Sequence, residues 1–395
     1  MFKSRQATAA PRNESSVAIS KRGGDGSKPR RLWHNILFMS LTPLFAAVLV
    51  PLYWYYNGVH WGLWLLFGIA FAVSNMSITC GYHRYFSHRS YEVHPVIEWL
   101  YVIIGSGAFQ GSVLQWASDH RRHHRFVDRE GDPYNINKGF WFAHLAWMFR
   151  EDTHPEAKNY AKDLEKSRLI RLQHKFYPLF ATFMGFIVPG LIAWACGIGF
   201  WGGVIFGGLL RIVLTQHSTF LINSYAHTFG KQTYTDKHTA RDSLILAILT
   251  FGEGYHNFHH SFQADYRNGT SWYHWDPTKW WIRFLAWLGL AKRLKRTRKE
   301  DILRARLAME EKLLLSKGAP SERVQQLKAR IEEAQKQVRQ LRESYQAAKR
   351  DLTEKGRAWR HQMRAEIRMA ELEFKAAYRQ WQTFRRAMIR SAALA

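Results

Sequence analysis

Apolar residues gather in four runs long enough to cross a bilayer, at about 33–56, 61–81, 176–196 and 201–223, since a helix needs about 20 of them to traverse the hydrocarbon. The runs form two pairs. Asn57-Gly58-Val59-His60 joins the first pair and the stretch around Gly197-Ile198-Gly199 joins the second; neither link carries Lys or Arg. The flanking segments are rich in both, and the bias of basic loops toward the cytoplasm places both termini and residues 82–175 on that side. Arg211, Gln216 and His217 interrupt the fourth run. A fifth apolar stretch, 95–115, would separate His120 from His83 if it crossed, so it is expected as an interfacial or re-entrant helix. Residues 244–251 and Trp280 to Trp287 are too short to cross and are expected along the membrane surface.

After residue 291 the pattern changes. Val324, Leu327, Ile331, Ala334, Val338, Leu341, Tyr345, Ala348 and Leu352 alternate spacings of three and four with charged residues between, a coiled-coil seam. Gly318-Ala-Pro-Ser321 separates it from a helix near 300–316, with Ser321 as N-cap, and Lys355-Gly356 precedes a second run from Trp359 through Met363, Ile367, Ala370, Phe374, Ala377, Trp381, Phe384 and Met388. These helices are expected to fold back on one another or to self-associate through 321–352. The pattern implies an all-α integral membrane protein: four transmembrane helices with a cytoplasmic helical cap, plus a coiled-coil-like helical extension. Its parts would be a disordered basic tail over 1–32, a membrane domain over 33–291 and the extension over 292–395.

Composition sharpens this division. Mean hydropathy is below zero, so a polar region must offset the spans, while 17 Trp, 17 Tyr and 25 Phe suit interfacial aromatic belts. The net charge of +26 is concentrated at the two ends, as expected for segments facing anionic lipid. No nucleic-acid recognition motif accompanies it, and no nucleic-acid partner is expected. Two cysteines, Cys80 and Cys196, exclude a disulfide framework and a cysteine-based metal site. The polar first thirty residues lack a short apolar core with a cleavage site, so the first run is expected to remain as an anchor.

Three histidine clusters adjoin the apolar runs: His83-Arg-Tyr-Phe-Ser-His88, His120-Arg-Arg-His123-His124 and His256-Asn-Phe-His259-His260. Spacings of three and four put side chains on one helix face, so the second and third clusters are each expected to aim three nitrogens at one spot. His227, at the end of the fourth run and one turn beyond Asn223, is a costly polar residue that needs a function there. Nine imidazoles exceed what one tetrahedral zinc can use and suit two metals of higher coordination number, iron among them. Hydrolysis by a metal-bound hydroxide is the other use of such a pair, but a membrane-embedded access route better suits a lipid tail. Asp119, Asp128, Asp132 and Glu253 are candidates to fix the ring tautomers. His34, His60, His94, His144, His154, His174, His217, His238 and His274 are taken as non-ligands.

The text Gly81-Tyr-His83-Arg-Tyr-Phe-Ser-His88-Arg-Ser-Tyr91, Trp116-Ala-Ser-Asp119-His120-Arg-Arg-His123-His124-Arg125, Asp132-Pro133-Tyr-Asn135, Asn223-Ser-Tyr-Ala-His227 and Gly252-Glu253-Gly254-Tyr-His256-Asn-Phe-His259-His260 resembles the membrane fatty acyl desaturases of the acyl-CoA Δ9 (stearoyl-CoA desaturase-like) class. The resemblance covers about residues 35–290. It implies two irons held by His83, His88, His120, His123, His124, His227, His256, His259 and His260, with Asn223 acting through water and no catalytic residue beyond the metal centre. It further implies oxygen as co-substrate, a fatty acyl chain in a bent tunnel, and a separate electron donor such as ferredoxin or cytochrome b5. Gln110, Trp116, Thr219 and Phe220 match the tunnel bend, and Phe71 to Asn75 its far end. Arg121, Arg122 and Arg125, with Asp119, are candidates near an anionic head group. Gly111 and Ser118 stand where animal acyl-CoA desaturases place Asn and Arg, and Phe220 where they place Trp. Acyl-CoA is therefore the first expectation, with acyl carrier protein or phospholipid as alternatives, and a bacterial inner membrane is favoured as the location.

A lipid hydroxylase on the same metal framework, and a membrane anchor recruiting partners through its coiled coil, are the competing functions. Removal of 300–395 tests the latter. Desaturation unchanged in the truncated chain marks the extension as accessory, whereas total loss in a folded, metal-loaded core marks it as catalytic.

Overall fold

The computed structural model of the chain describes residues 29–152, 159–350 and 356–394. Most of the expected basic tail, together with His154, Leu352 and Lys355, lies outside them. The protein is an all-α integral membrane protein. Four helices are long and apolar enough to span a bilayer: Trp33–Asn57, Trp61–Ser87, Tyr177–Ala195 and Phe200–His227, spans 1 to 4. Among the described residues the only paired strands are two residues each, Glu92–Val93 against Ala291–Lys292.

Spans 2 and 4 run past their apolar segments. At 1.5 Å per residue, helices of 27 and 28 residues exceed the roughly 30 Å hydrocarbon core by about 10 Å. Their polar ends therefore project into the cap and carry His83 and His227 with them. Span 2 finishes in a π-helix, Ser77–Ser87, and its wider turn closes His88 N onto His83 O at 3.1 Å. Residues five apart diverge on an α-helix but stack on a π-helix, and the His83 and His88 rings lie 4.9 Å apart.

Close helix contact in the membrane requires small residues. At Gly203 of span 4 an added Cβ would lie 2.3 Å from Pro189 O of span 3. Arg211, which interrupts the fourth apolar run, is buried and donates to Gly207 O at 2.9 Å, Gly185 O at 2.8 Å and Gly107 O. A charge inside the bundle is thus accommodated by three carbonyls.

The 95–115 stretch is not one helix. Pro95–Ser106 ends in a turn where Phe109 and Gly111 have φ of 55° and 89°. Ser112 then caps a new helix, Val113–Phe126, by accepting from Gln115 N. This break redirects the chain so that the second histidine cluster points inward. Leu244–Leu249 and Pro277–Trp287 are short helices whose outer faces expose Leu244, Ile245, Trp280, Trp281 and Trp287.

The extension forms three helices, Lys299–Ser316, Ser321–Arg350 and Gly356–Leu394. Ser321 is the first helical residue rather than a preceding cap. The second and third helices run antiparallel, tied by Arg330 to Gln380, Arg342 to Glu371 and Arg364 to Tyr345. Val324, Leu327 and Ile331 pack with Leu307, Leu314, Ala377 and Trp381 in one apolar core. Further along the seam Ala334, Val338, Leu341 and Tyr345 are only half-buried. Trp381 is fully buried and donates to Glu310 Oε2 at 2.6 Å. Trp381→Ala is expected to destabilise this bundle by about 3–5 kcal/mol, read as faster amide exchange over 299–394 with little change in the spans.

Candidate metal centre

The nine histidines converge as two groups, each with its ligand atoms within 4.8 Å of one another: His83, His88, His120, His124 and His259, and His123, His227, His256 and His260. Neither His-x-x-His-His cluster serves a single spot, contrary to the spacing argument. On Val113–Phe126, His120 and His124 share a face and join the first group while His123 turns to the second. On His256–Ser261, His256 and His260 join the second group and His259 the first. Two short helices thus each straddle both positions.

The rings meet through their Nε2 atoms. Separations are 3.0 Å for His83 to His259, 2.8 Å for His88 to His120, 3.0 Å for His124 to His259, and 3.1 Å from His256 to both His227 and His260. On the opposite side of three rings, oxygen atoms face Nδ1. His83 Nδ1 lies 2.8 Å from Glu253 Oε2, His123 Nδ1 lies 2.9 Å from Asp132 Oδ1, and His227 Nδ1 lies 2.7 Å from Thr239 Oγ1. Such partners keep the proton on Nδ1 and leave Nε2 as a bare lone pair. Burial, reinforced by the neighbouring imidazoles, pushes His88, His120, His124, His256, His259 and His260 well below the usual histidine range. Buried neutral rings aiming lone pairs at one another fit metal cations between them.

The expected tautomer-setting carboxylates differ in their placement. Burial would raise the Glu253 pKa, but His83 and Arg84 outweigh it and hold it down to about 2. Arg84 reaches Glu253 Oε1 at 2.9 Å and Asp276 at 3.1 Å, and Asn268 donates to Glu253 Oε2 at 2.7 Å. Burial likewise opposes the ionisation of Asp128, and the nearby His227 ring together with hydrogen bonds from Thr239 overcomes it, holding Asp128 below the usual carboxylate range. Asp119 meets no histidine among the described contacts; burial raises it to about 6 beside Arg122. Arg84 and Thr239 were not among the residues singled out from sequence, because the carboxylates they meet, Glu253 and Asp276 for one and Asp128 for the other, lie far away in the chain.

A cavity of about 1260 Å³ reaches His83, His120, His123 and His256 and is lined also by Asn75, Gln110, Trp116, Asp119, Arg122, Thr219, Phe220 and Asn223. Gln110 Nε2 donates to Thr219 Oγ1 at 2.8 Å, and Trp116 Nε1 donates to Gln110 Oε1 at 3.3 Å. Phe71 lies outside the lining and packs on Phe67 and Phe251. Arg121 is engaged by Asp163 and the carbonyls of Phe86 and Ser87, while Arg125 stacks over Phe126 and Tyr160. Of the three expected head-group arginines only Arg122 lines the cavity. Gly111, which has no side chain, donates its N–H to Tyr177 Oη at 2.9 Å, and Ser118 Oγ accepts from Tyr160 N.

Asp132→Asn keeps the shape of the carboxylate and removes its charge. The expected outcome is metal affinity about 10–100-fold weaker, measured by competition with a chelator, with the helical circular dichroism unchanged.

A sequence profile for fatty acid desaturases matches residues 59–286. The chain is 38% identical over 295 residues to "Acyl-CoA desaturase 1" of Saccharomyces cerevisiae, covering 73% of this chain and 57% of that protein. It is 33% identical over 295 residues to "Stearoyl-CoA desaturase 5" of Homo sapiens, covering 71% of this chain and 86% of that protein. With "sn-1 stearoyl-lipid 9-desaturase" of Synechocystis sp. it shares 37% identity over 237 residues, 59% of this chain and 72% of the relative. The match thus spans a little over half the length of the yeast relative and most of the human one. Two histidine groups inside the region of that profile, set against a cavity, mark the chain as a member of the fatty acid desaturase family.

Proposed function

We propose that the protein is an oxygen-dependent desaturase that inserts a cis double bond, at Δ9, into a saturated acyl chain presented as acyl-CoA. The observation that carries this reading is the contact between the two histidine groups and a cavity with an apolar wall. A methylene has no polar handle, so regioselectivity must come from a channel that fixes which carbons lie beside the metals. Trp116, Phe220 and Ile78 supply apolar wall, and the Gln110–Thr219 bond stiffens it.

In this reading His83, His88, His120, His124 and His259 hold one iron and His123, His227, His256 and His260 the other, with Asn223 contributing through water. Iron supplies the oxygen-activating chemistry that side chains lack. The balance is one O2, two electrons and two protons consumed with the two hydrogens of adjacent methylenes, giving one alkene and two waters. The chain's own residues position and exclude. Glu253 and Asp132 fix ring tautomers, the spans shield the acyl tail from water, and exposed Arg150 offers an anionic head group a cation at the cavity, Arg122 being paired with Asp152. The electrons come from a separate protein of the ferredoxin or cytochrome b5 type. Both termini and the cap face the cytoplasm, in a bacterial inner membrane, with the apolar face of Leu244–Leu249 and the aromatic face of Pro277–Trp287 against lipid.

Metal analysis with fatty-acid profiling in a desaturase-deficient host tests the proposal. The intact chain is expected to hold about two irons and to yield a Δ9 alkene from stearoyl-CoA, and His120→Ala to lose both. A hydroxylated product without a new alkene would overturn the reaction, and conversion of intact phospholipid but not of stearoyl-CoA would overturn the carrier.

A further inference from the structure

We propose that Thr239 is a positioning residue of the metal centre, holding His227 in the tautomer that donates Nε2 to the second iron; this rests on the diiron reading above. His83 and His123 face their carboxylates directly, but His227 does not. Asp128 Oδ1 stands 3.5 Å from His227 Nδ1, and the Thr239 hydroxyl is nearer to both, 2.7 Å from Nδ1 and 2.8 Å from Asp128 Oδ1, bridging them from one side. Thr239 N also donates to Asp128 Oδ2 at 2.6 Å. An ionised carboxylate only accepts, so the single hydroxyl proton is committed to Asp128 and the hydroxyl oxygen must accept from His227 Nδ1–H. The relay therefore has one direction, and it leaves His227 Nε2 unprotonated, facing His256 Nε2 at 3.1 Å.

The fold places this hydroxyl. Reciprocal bonds between Lys231 and Asp242 close the loop that carries it. Asn257, inside the third histidine cluster, accepts from Tyr234 N at 2.7 Å and donates to Thr235 O and Ala240 O at 2.8 Å each. Tyr234 packs on Phe258 and Phe262, and Lys312 of the extension reaches Asp236 at 2.8 Å. The helix that bears His256 and His260 thus also secures the residue that orients His227, so both sides of the second position are set by one element.

Thr239→Ala and Thr239→Ser lose the same methyl group, so the difference between them reports the hydroxyl alone. Iron is expected to stay at about two per chain in the intact protein and in Thr239→Ser, and to fall to about one in Thr239→Ala, with affinity at that position weakened about 10–100-fold. Mössbauer spectra should lose one of two iron signals in the alanine variant and recover it in the serine variant. Thr239→Val, which keeps the volume, is the hydroxyl-free arm should the alanine chain not fold. Two irons and an unchanged spectrum in the hydroxyl-free variant, or loss of iron in Thr239→Ser, would overturn the role of Thr239 alone. An intact protein that takes up no iron would overturn the diiron reading and this inference together.

Discussion

Nine imidazoles packed with their Nε2 atoms about 3 Å apart form the constraint on which the rest of the structure depends. Neutral rings in that arrangement point lone pairs at lone pairs, and burial removes the water that would otherwise satisfy them. Only a shared proton or a cation resolves this, and the lowered proton affinity of the buried rings disfavours the proton. The surrounding architecture serves that geometry. The π-turn at the end of span 2 stacks His83 and His88, and the overlong spans 2 and 4 lift His83 and His227 into the cap, where both short histidine helices divide their rings between two positions.

Behind the rings sits a second buried layer of charge. Arg84, from span 2, is held between Glu253 and Asp276, and Asn268 completes the Glu253 shell. Buried ion pairs gain little net stability, because desolvation offsets much of the attraction, but removing one partner leaves a charge stranded and is strongly destabilising. This network therefore acts as a fastener of fixed geometry: it locks the π-turn of span 2 to the segment that leads into the third histidine cluster. Gly254 marks how tightly that segment is packed, since a Cβ there would meet Ala247 N at 2.1 Å.

The extension follows separate rules. Its helices bury their periodic faces against one another around Trp381 and Glu310, leaving a basic surface outward. It touches the metal-bearing cap at the loop around Asp236 rather than at the histidines. It is thereby joined to the loop that seats Thr239.

Four apolar runs, three histidine clusters and a heptad seam were legible from residue order alone, because each is a local periodicity or a length matched to the bilayer. The family resemblance rests on the same local text. What local spacing misjudged was direction. It aimed each His-x-x-His-His cluster at one spot, whereas the tertiary structure splits each between two, because the rings must surround two centres from helices lying between them. It also read 95–115 as one helix, where a turn at Phe109 and Gly111 was needed to swing the second cluster inward. Arg121 and Arg125 looked available for a head group by charge, yet Asp163 and two aromatic rings occupy them. Arg84 and Thr239 carried no local signal, since the partners that give them meaning, Glu253 and Asp276 for one and Asp128 for the other, are more than a hundred residues away. Sequence by itself determined which chemical groups the protein has and which segments cross the membrane, because composition and period are properties of the chain. Only the tertiary structure decided which nitrogen faces which, because hydrogen-bond direction and ring convergence exist only once distant segments meet.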